Sequence, residues 1–159
     1  MFLLTLTDAL DQHKVEYAIV GGLAVALHGA VRGTVDIDIV LKLSRKTFVA
    51  AEQALRSIGL EPRLPVEAAQ VHDFREEYIR NRNLIAWSFF NPRRPSEIVD
   101  IVITHDLSKM AIQRFEVQGR RIRVLALPDL IRMKEDSGRP QDLEDVRALR
   151  AVHGGENGA

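Results

Sequence analysis

Apolar residues recur along this chain in two rhythms, and the changes of rhythm mark its elements. Leu3, Leu4, Leu6 and Leu10 predict an amphipathic helix ending near His13, and Tyr17 to Val20 a strand that stops at the pair Gly21-Gly22. A second helix is expected over about 23–29, followed by a polar turn and a strand over 36–41. The stretch 48–58 has helical spacing, with Ser44 placed to cap it and Gly59 to end it. Pro62 and Pro65 mark an irregular link. Beyond it, 84–90 and 97–103 read as two strands joined through Asn91-Pro92-Arg93-Arg94-Pro95. A further hairpin is expected from 115–117 and 122–125 around Gln118-Gly119. Two helices close the chain, 127–135 and 140–152, the second opening on Pro140.

The fold class expected from this order is α/β, and more strictly α+β. With 159 residues, 46% of them hydrophobic, the chain suits a single domain over 1–153, and the glycine-rich 154–159 reads as a disordered tail. Lys+Arg and Asp+Glu number 22 each, so no global charge demands a polyanion as partner. Cysteine is absent, which excludes disulfides, thiolate metal sites and a thiol nucleophile and fits a reducing compartment. Met1-Phe2-Leu3-Leu4 lacks a basic leader and meets Asp8 and Asp11 at once, so no membrane association and a cytoplasmic location are expected.

The chemistry-bearing feature is Asp36-Ile37-Asp38. Residues two apart on a strand share a face, so these carboxylates aim at one place while Ile37 and Ile39 pack behind. Asp100, within Ile98-Val99-Asp100-Ile101-Val102, is a third carboxylate with strand flanks. At a separation of about 4 Å and an effective dielectric of about 20, two ionised carboxylates repel by about 4 kcal/mol, which a cation or water must offset. Oxygen-only ligands favour Mg2+ or Mn2+ over zinc. The strand-to-glycine-to-helix passage at Gly21 and Gly22 offers bare backbone amides to phosphate oxygens, although a tight turn without a ligand uses glycines equally well. Arg32 and Thr34 supply a guanidinium and a hydroxyl just before the carboxylates; the plainer alternatives are an ion pair of Arg32 with Asp36 or Asp38 and a Thr34 that begins a strand.

Val20-Gly21-Gly22, Ala24, His28-Gly29, Arg32, Thr34, Asp36-Ile37-Asp38 and the later Asp100 together resemble the signature of the polymerase-β-type nucleotidyltransferase superfamily. More narrowly, they resemble the minimal bacterial nucleotidyltransferases, including the abortive-infection (AbiEii-like) toxins of some toxin-antitoxin pairs. Lys134, Arg139, Asp142 and Asp145 resemble the helical Lys and Arg-x-x-Asp-x-x-Asp segment of that narrower group.

The resemblance implies a mixed, mostly antiparallel sheet of about four to six strands flanked by helices, with C-terminal helices. It implies two Mg2+ ions, a nucleoside triphosphate donor, and transfer of the nucleoside monophosphate to a hydroxyl with release of pyrophosphate. Asp36 and Asp38 would then bridge the metals, and Asp100 would complete the acceptor-side ion and draw the proton from the attacking hydroxyl. Gly21 and Gly22 would hold the triphosphate. Lys134 would meet the leaving pyrophosphate, unless it pairs with Glu135 or Asp136 on a solvated helix face. Arg139 and Asp142 belong to the same segment, though Asp142 also suits a first helical turn on dipole grounds. The superfamily places Ser after the first glycine; this chain has Gly22, so amides or Arg32 must replace that hydroxyl.

The acceptor stays open among tRNA or other RNA, a protein side chain and a small molecule such as an antibiotic, and a cognate antitoxin is a conceivable partner. The competing class is a catalytically silent binding module on the same fold. Five histidines show no metal-ligand spacing, and His28 is expected to brace the glycine turn. Trp87, Phe89 and Phe90 read as core, and Arg75, Arg80, Arg82, Arg93 and Arg94 as a solvated face.

Overall fold

A computed structural model describes residues 1–33, 36–82 and 84–154. The chain runs α1 (Phe2–Gln12), β1 (Tyr17–Val20), α2 (Gly21–Leu27), β2 (Ile37–Leu41), α3 (Arg45–Ser57), β3 (Glu61–Pro62), α4 (Ala68–Asp73), α5 (Arg75–Arg82), β4 (Ala86–Asn91), β5 (Arg94–Val102), β6 (Ile112–Val117), β7 (Arg120–Leu125), α6 (Leu127–Ser137) and α7 (Pro140–His153).

The strands form one sheet in the order β3-β4-β5-β2-β1-β7-β6. β1–β7 and β2–β5 pair in parallel and the other neighbours antiparallel, so the sheet is mixed and mostly antiparallel as expected. Among the described residues it has seven strands rather than four to six, because the two-residue β3 adds an edge beside β4 and the parallel β1–β7 contact joins the second hairpin to the rest.

Two adjacent cross-strand rows explain the architecture. In one, Trp87, Ile101, Ile39, Ile19 and Val124 are successive register partners, and all are buried. α3 packs on the β4 end of this row, with Phe48 stacked on Trp87 at 5.9 Å between ring centroids. In the next row, Ser88, Asp100, Asp38 and Val20 are partners, and their side chains project from the opposite face. The alternation is plainest on β4 and β5, where Trp87, Phe89, Val99 and Ile101 are buried and Ser88, Phe90, Ile98 and Asp100 are half-buried.

Local signals set most boundaries. Ser44 Oγ accepts from the Thr47 amide at 3.1 Å and caps α3, and Gly59, at φ +90°, turns the chain out of it. α2 starts at Gly21, two residues earlier than its apolar spacing predicts, because the helix begins directly from the last residue of β1. Between the short link bounded by Pro62 and Pro65 and the strand expected from Leu84, where the sequence pattern predicts no element, the chain forms α4 and α5; α5 buries no side chain, so it carries no apolar stripe to read. Of the expected tail, residues 155–159 lie outside the described residues. No helix among the described residues is long and apolar enough to cross a membrane.

Candidate active site

Asp38 and Asp100 are register partners on the parallel strands β2 and β5, so their carboxylates leave the same face one strand spacing apart. Asp36 lies just before β2. Burial, then the charges of Asp100 and Asp36, push the Asp38 carboxyl up to about 7, and a hydrogen bond to Asp100 adds to this while Lys134 opposes it. Burial and Asp100 also raise Asp36, against the pull of Arg63. The three acids named from the sequence therefore feel one another's charge, which links residues from two separate stretches of chain.

Gly21 forms the back wall. Its φ of +66° lies in the left-handed region, and a Cβ there would overlap the Asp38 carboxylate, with Cγ at 2.8 Å. Glycine is thus required twice, for the turn from β1 into α2 and for the approach of the backbone to Asp38. Gly22 follows, buried, in the first turn of α2.

A second charged cluster comes from the last two helices. Lys134 on α6 is buried, and its Nζ lies 3.0 Å from Asp145 Oδ2 and 3.4 Å from Asp142 Oδ1, both on α7. It does not pair with Glu135 or Asp136, which face Arg150 and His105. Arg139 Nε donates to Asp142 Oδ2 at 2.7 Å, and Arg32 Nε donates to Asp145 Oδ1 at 3.0 Å. Arg32 thus has Asp145 as an ion-pair partner, one that the sequence did not offer it; α7 packs against α2 and brings Asp145 to it. Thr34 lies outside the described residues. Burial works to raise the Asp142 carboxyl, but the Arg139 hydrogen bond and the Lys134 charge outweigh it and hold the group below its ordinary value. Three cations against two carboxylates leave this cluster net positive, and both Lys134 and Arg139 act on Asp38 through their charge.

His28 is not at the glycine turn. It caps the far end of α2, where its Nε2 lies 2.8 Å from the Leu125 carbonyl of β7, and burial holds its imidazole below the usual value.

Two residues near the site escaped the sequence reading. Ser88 Oγ donates to Asp100 Oδ1 at 2.6 Å, and Arg63 lies close enough to Asp36 to act on its charge while its guanidinium rests over the Phe90 ring at 5.3 Å. Ser88 could have been found by counting back across the 84–103 hairpin to the residue facing Asp100; a single arginine between two prolines gives no signal. Among the described residues no three His, Asp or Glu side chains lie close enough together to hold an ion as they stand. The donor chemistry nevertheless suits a hard divalent cation: the facing groups are carboxylates, and the crowding that raises Asp38 is what such an ion relieves.

The fold has counterparts among known proteins. The antibiotic-resistance factor ANT(2'')-Ia superposes with a TM-score of 0.64 at 14% identity, over 98% of this chain and 84% of that one. The Thermotoga maritima protein TM1012, a provisional nucleotidyltransferase, gives 0.60 at 20% identity, over 91% and 88% of the two chains. The lincosamide antibiotic adenylyltransferase LnuA, in its lincomycin-bound structure, gives 0.59 at 16% identity, over 95% and 96%. No curated protein matches the chain in sequence. The family model described as "Nucleotidyltransferase of unknown function (DUF6036)" matches residues 3–153, nearly the whole chain, and the protein accordingly belongs to that nucleotidyltransferase family.

Proposed function

We propose that the protein transfers a nucleoside monophosphate from a nucleoside triphosphate to a hydroxyl of a small molecule, releasing pyrophosphate. The observation that carries this reading is the in-register Asp38 and Asp100 pair, with Asp36 beside it, set against the bare backbone of Gly21. A scaffold gains nothing from three mutually repelling acids on one face; a reaction at a phosphate does.

In this reading Asp36, Asp38 and Asp100 hold Mg2+ or Mn2+, which would neutralise charge on the triphosphate and acidify the attacking hydroxyl. Asp100 receives the proton of that hydroxyl, on the side of the site bordered by β4. The donor lies on the other side, over Gly21 and Gly22, whose amides approach its phosphates without side-chain obstruction. Lys134 and Arg139 supply positive charge for the departing pyrophosphate, and Arg32, tied to Asp145, belongs to the same charged cluster. Asp142, with Asp145, anchors those cations rather than touching phosphate. Phosphoryl transfer asks mostly for positioning and charge neutralisation, so this small set suffices.

A small-molecule acceptor is favoured over RNA because the face beyond Asp100 is lined by Ala86, Phe90, Ile98 and Val102 and the chain has no net charge to gather a polyanion. It agrees with the structural relatives, one of them seen with adenylyl-2''-tobramycin and another with lincomycin. The protein would act in the cytoplasm, where nucleoside triphosphates are plentiful. A part in a toxin-antitoxin pair would add a protein partner without changing the donor chemistry.

The test is incubation with each α-labelled nucleoside triphosphate, Mg2+ and a metabolite or antibiotic pool. Labelled product and pyrophosphate are expected, both lost in Asp38→Asn and Asp100→Asn. Label transferred only to RNA would overturn the acceptor class. Absence of any transfer, with no Mg2+-dependent nucleotide binding, would leave a silent binding module.

A further inference from the structure

Ser88 is a hydroxyl side chain bonded directly to Asp100, and its place is set by strand register. β4 lies outboard of β5, Ser88 faces Asp100 directly, and Oγ donates to Oδ1 at 2.6 Å. That length belongs to a charge-assisted O–H···O⁻ bond. Cohesion of the two strands does not explain it, since backbone register from Ala86 to Phe90 against Ile98 to Val102 already joins them. Burial does not demand it either: both residues are half-buried on the open face, where water could solvate each. What the bond does fix is orientation. The two oxygens of an aspartate are equivalent until something distinguishes them, and this one has Oδ1 occupied from the β4 side.

We propose that Ser88 is a positioning residue for nucleotidyl transfer, holding Asp100 by one oxygen so that the other is presented to the acceptor hydroxyl. This rests on the reading of the site as a nucleotidyltransferase centre. Ser88 itself forms no bond in the reaction. The acceptor oxygen attacks the α-phosphorus, the bond to the pyrophosphate oxygen breaks, and the acceptor proton passes to Asp100. Because Ser88 stands on the acceptor side, it affects turnover and leaves donor binding alone.

The experiment compares wild type with Ser88→Ala and Ser88→Thr, using Ser96→Ala as control because Ser96 is exposed on the same strand as Asp100. In protein labelled with 13C at the aspartate carboxyl, Ser88→Ala should move the Asp100 resonance and Ser88→Thr should return it, with melting temperatures unchanged. With Mg2+ and ATP, and the acceptor used by wild type, kcat for pyrophosphate release should fall about tenfold in Ser88→Ala and recover in Ser88→Thr, KM for ATP staying within about twofold. An unmoved Asp100 resonance, or a Ser88→Ala kcat equal to wild type, overturns the inference while the nucleotidyltransferase reading stands. A wild type that releases no pyrophosphate under any condition removes that reading instead, and the inference with it.

Discussion

Gly21 and Asp38 occupy the same space to within one methyl group: the carboxylate of β2 rests where a side chain on the first residue of α2 would have to be. The glycine turn and the acid strand are thus one device, although they are separated in sequence by α2 and its following loop.

Gly21→Ala tests that device. A residue forced to φ +66° and into the Asp38 carboxylate should lose about 1–3 kcal/mol of stability, and Asp38 should be displaced. Nucleotide transfer should fall by more than the stability loss explains, with the protein still folded at 25 °C by circular dichroism. Wild-type turnover in Gly21→Ala would show that the close approach is incidental.

The raised Asp38 carboxyl predicts an unusual pH profile. Its folded value of about 7 lies above the ordinary 3.8, so between those limits the folded chain keeps a proton that the unfolded chain has released, and stability falls as pH rises. Asp38→Asn removes the penalty, so the variant should melt about 3 °C or more above wild type at pH 8 and no higher at pH 4. Mg2+ should raise the wild-type melting temperature more at pH 8 than at pH 5.5, since the ion competes with that proton. Scanning calorimetry across pH checks both.

Lys134→Met leaves Asp142 and Asp145 buried with less positive charge beside them. A cost of about 3–5 kcal/mol is expected, larger than for truncating the exposed Arg150 on the same helix pair. Urea denaturation of the two variants decides the comparison. Equal losses would mean that the ammonium is solvated.

His28 should make the fold sensitive to mild acid. Burial keeps its imidazole below the ordinary 6.5, so the unfolded chain takes up a proton that the folded chain resists, and stability is lost as pH drops below about 6.5. His28→Gln, which keeps a donor toward the Leu125 carbonyl, should flatten this limb of the melting curve.

Periodicity and punctuation were sufficient for the strands and helices that pack. The 17–20 strand, the Ser44 cap and the helix opening on Pro140 all stand where apolar spacing, a hydroxyl and a proline put them. α5 was illegible because none of its side chains is buried, and β3 because two residues are too few to show alternation. In the candidate site, Asp36, Asp38 and Asp100 could be named from local pattern alone. The pairing of Arg32 with Asp145 could not, for it depends on α7 lying against α2, a relationship with no local trace. Lys134 could be singled out by resemblance, but its enclosure by two aspartates of the next helix could not, since that too depends on how α6 and α7 pack.

The parallel pairing of β2 with β5 has a kinetic consequence. Two neighbouring strands that run the same way require the chain to travel out and come back, and here the excursion takes in α3, β3, α4, α5 and β4 before Asp100 arrives beside Asp38. So long a closure is entropically slow, and no partly assembled intermediate lacking β5 can display the acidic pair. A nucleotide that needs both carboxylates would recognise the finished molecule only, lengthening its lifetime without hastening its assembly.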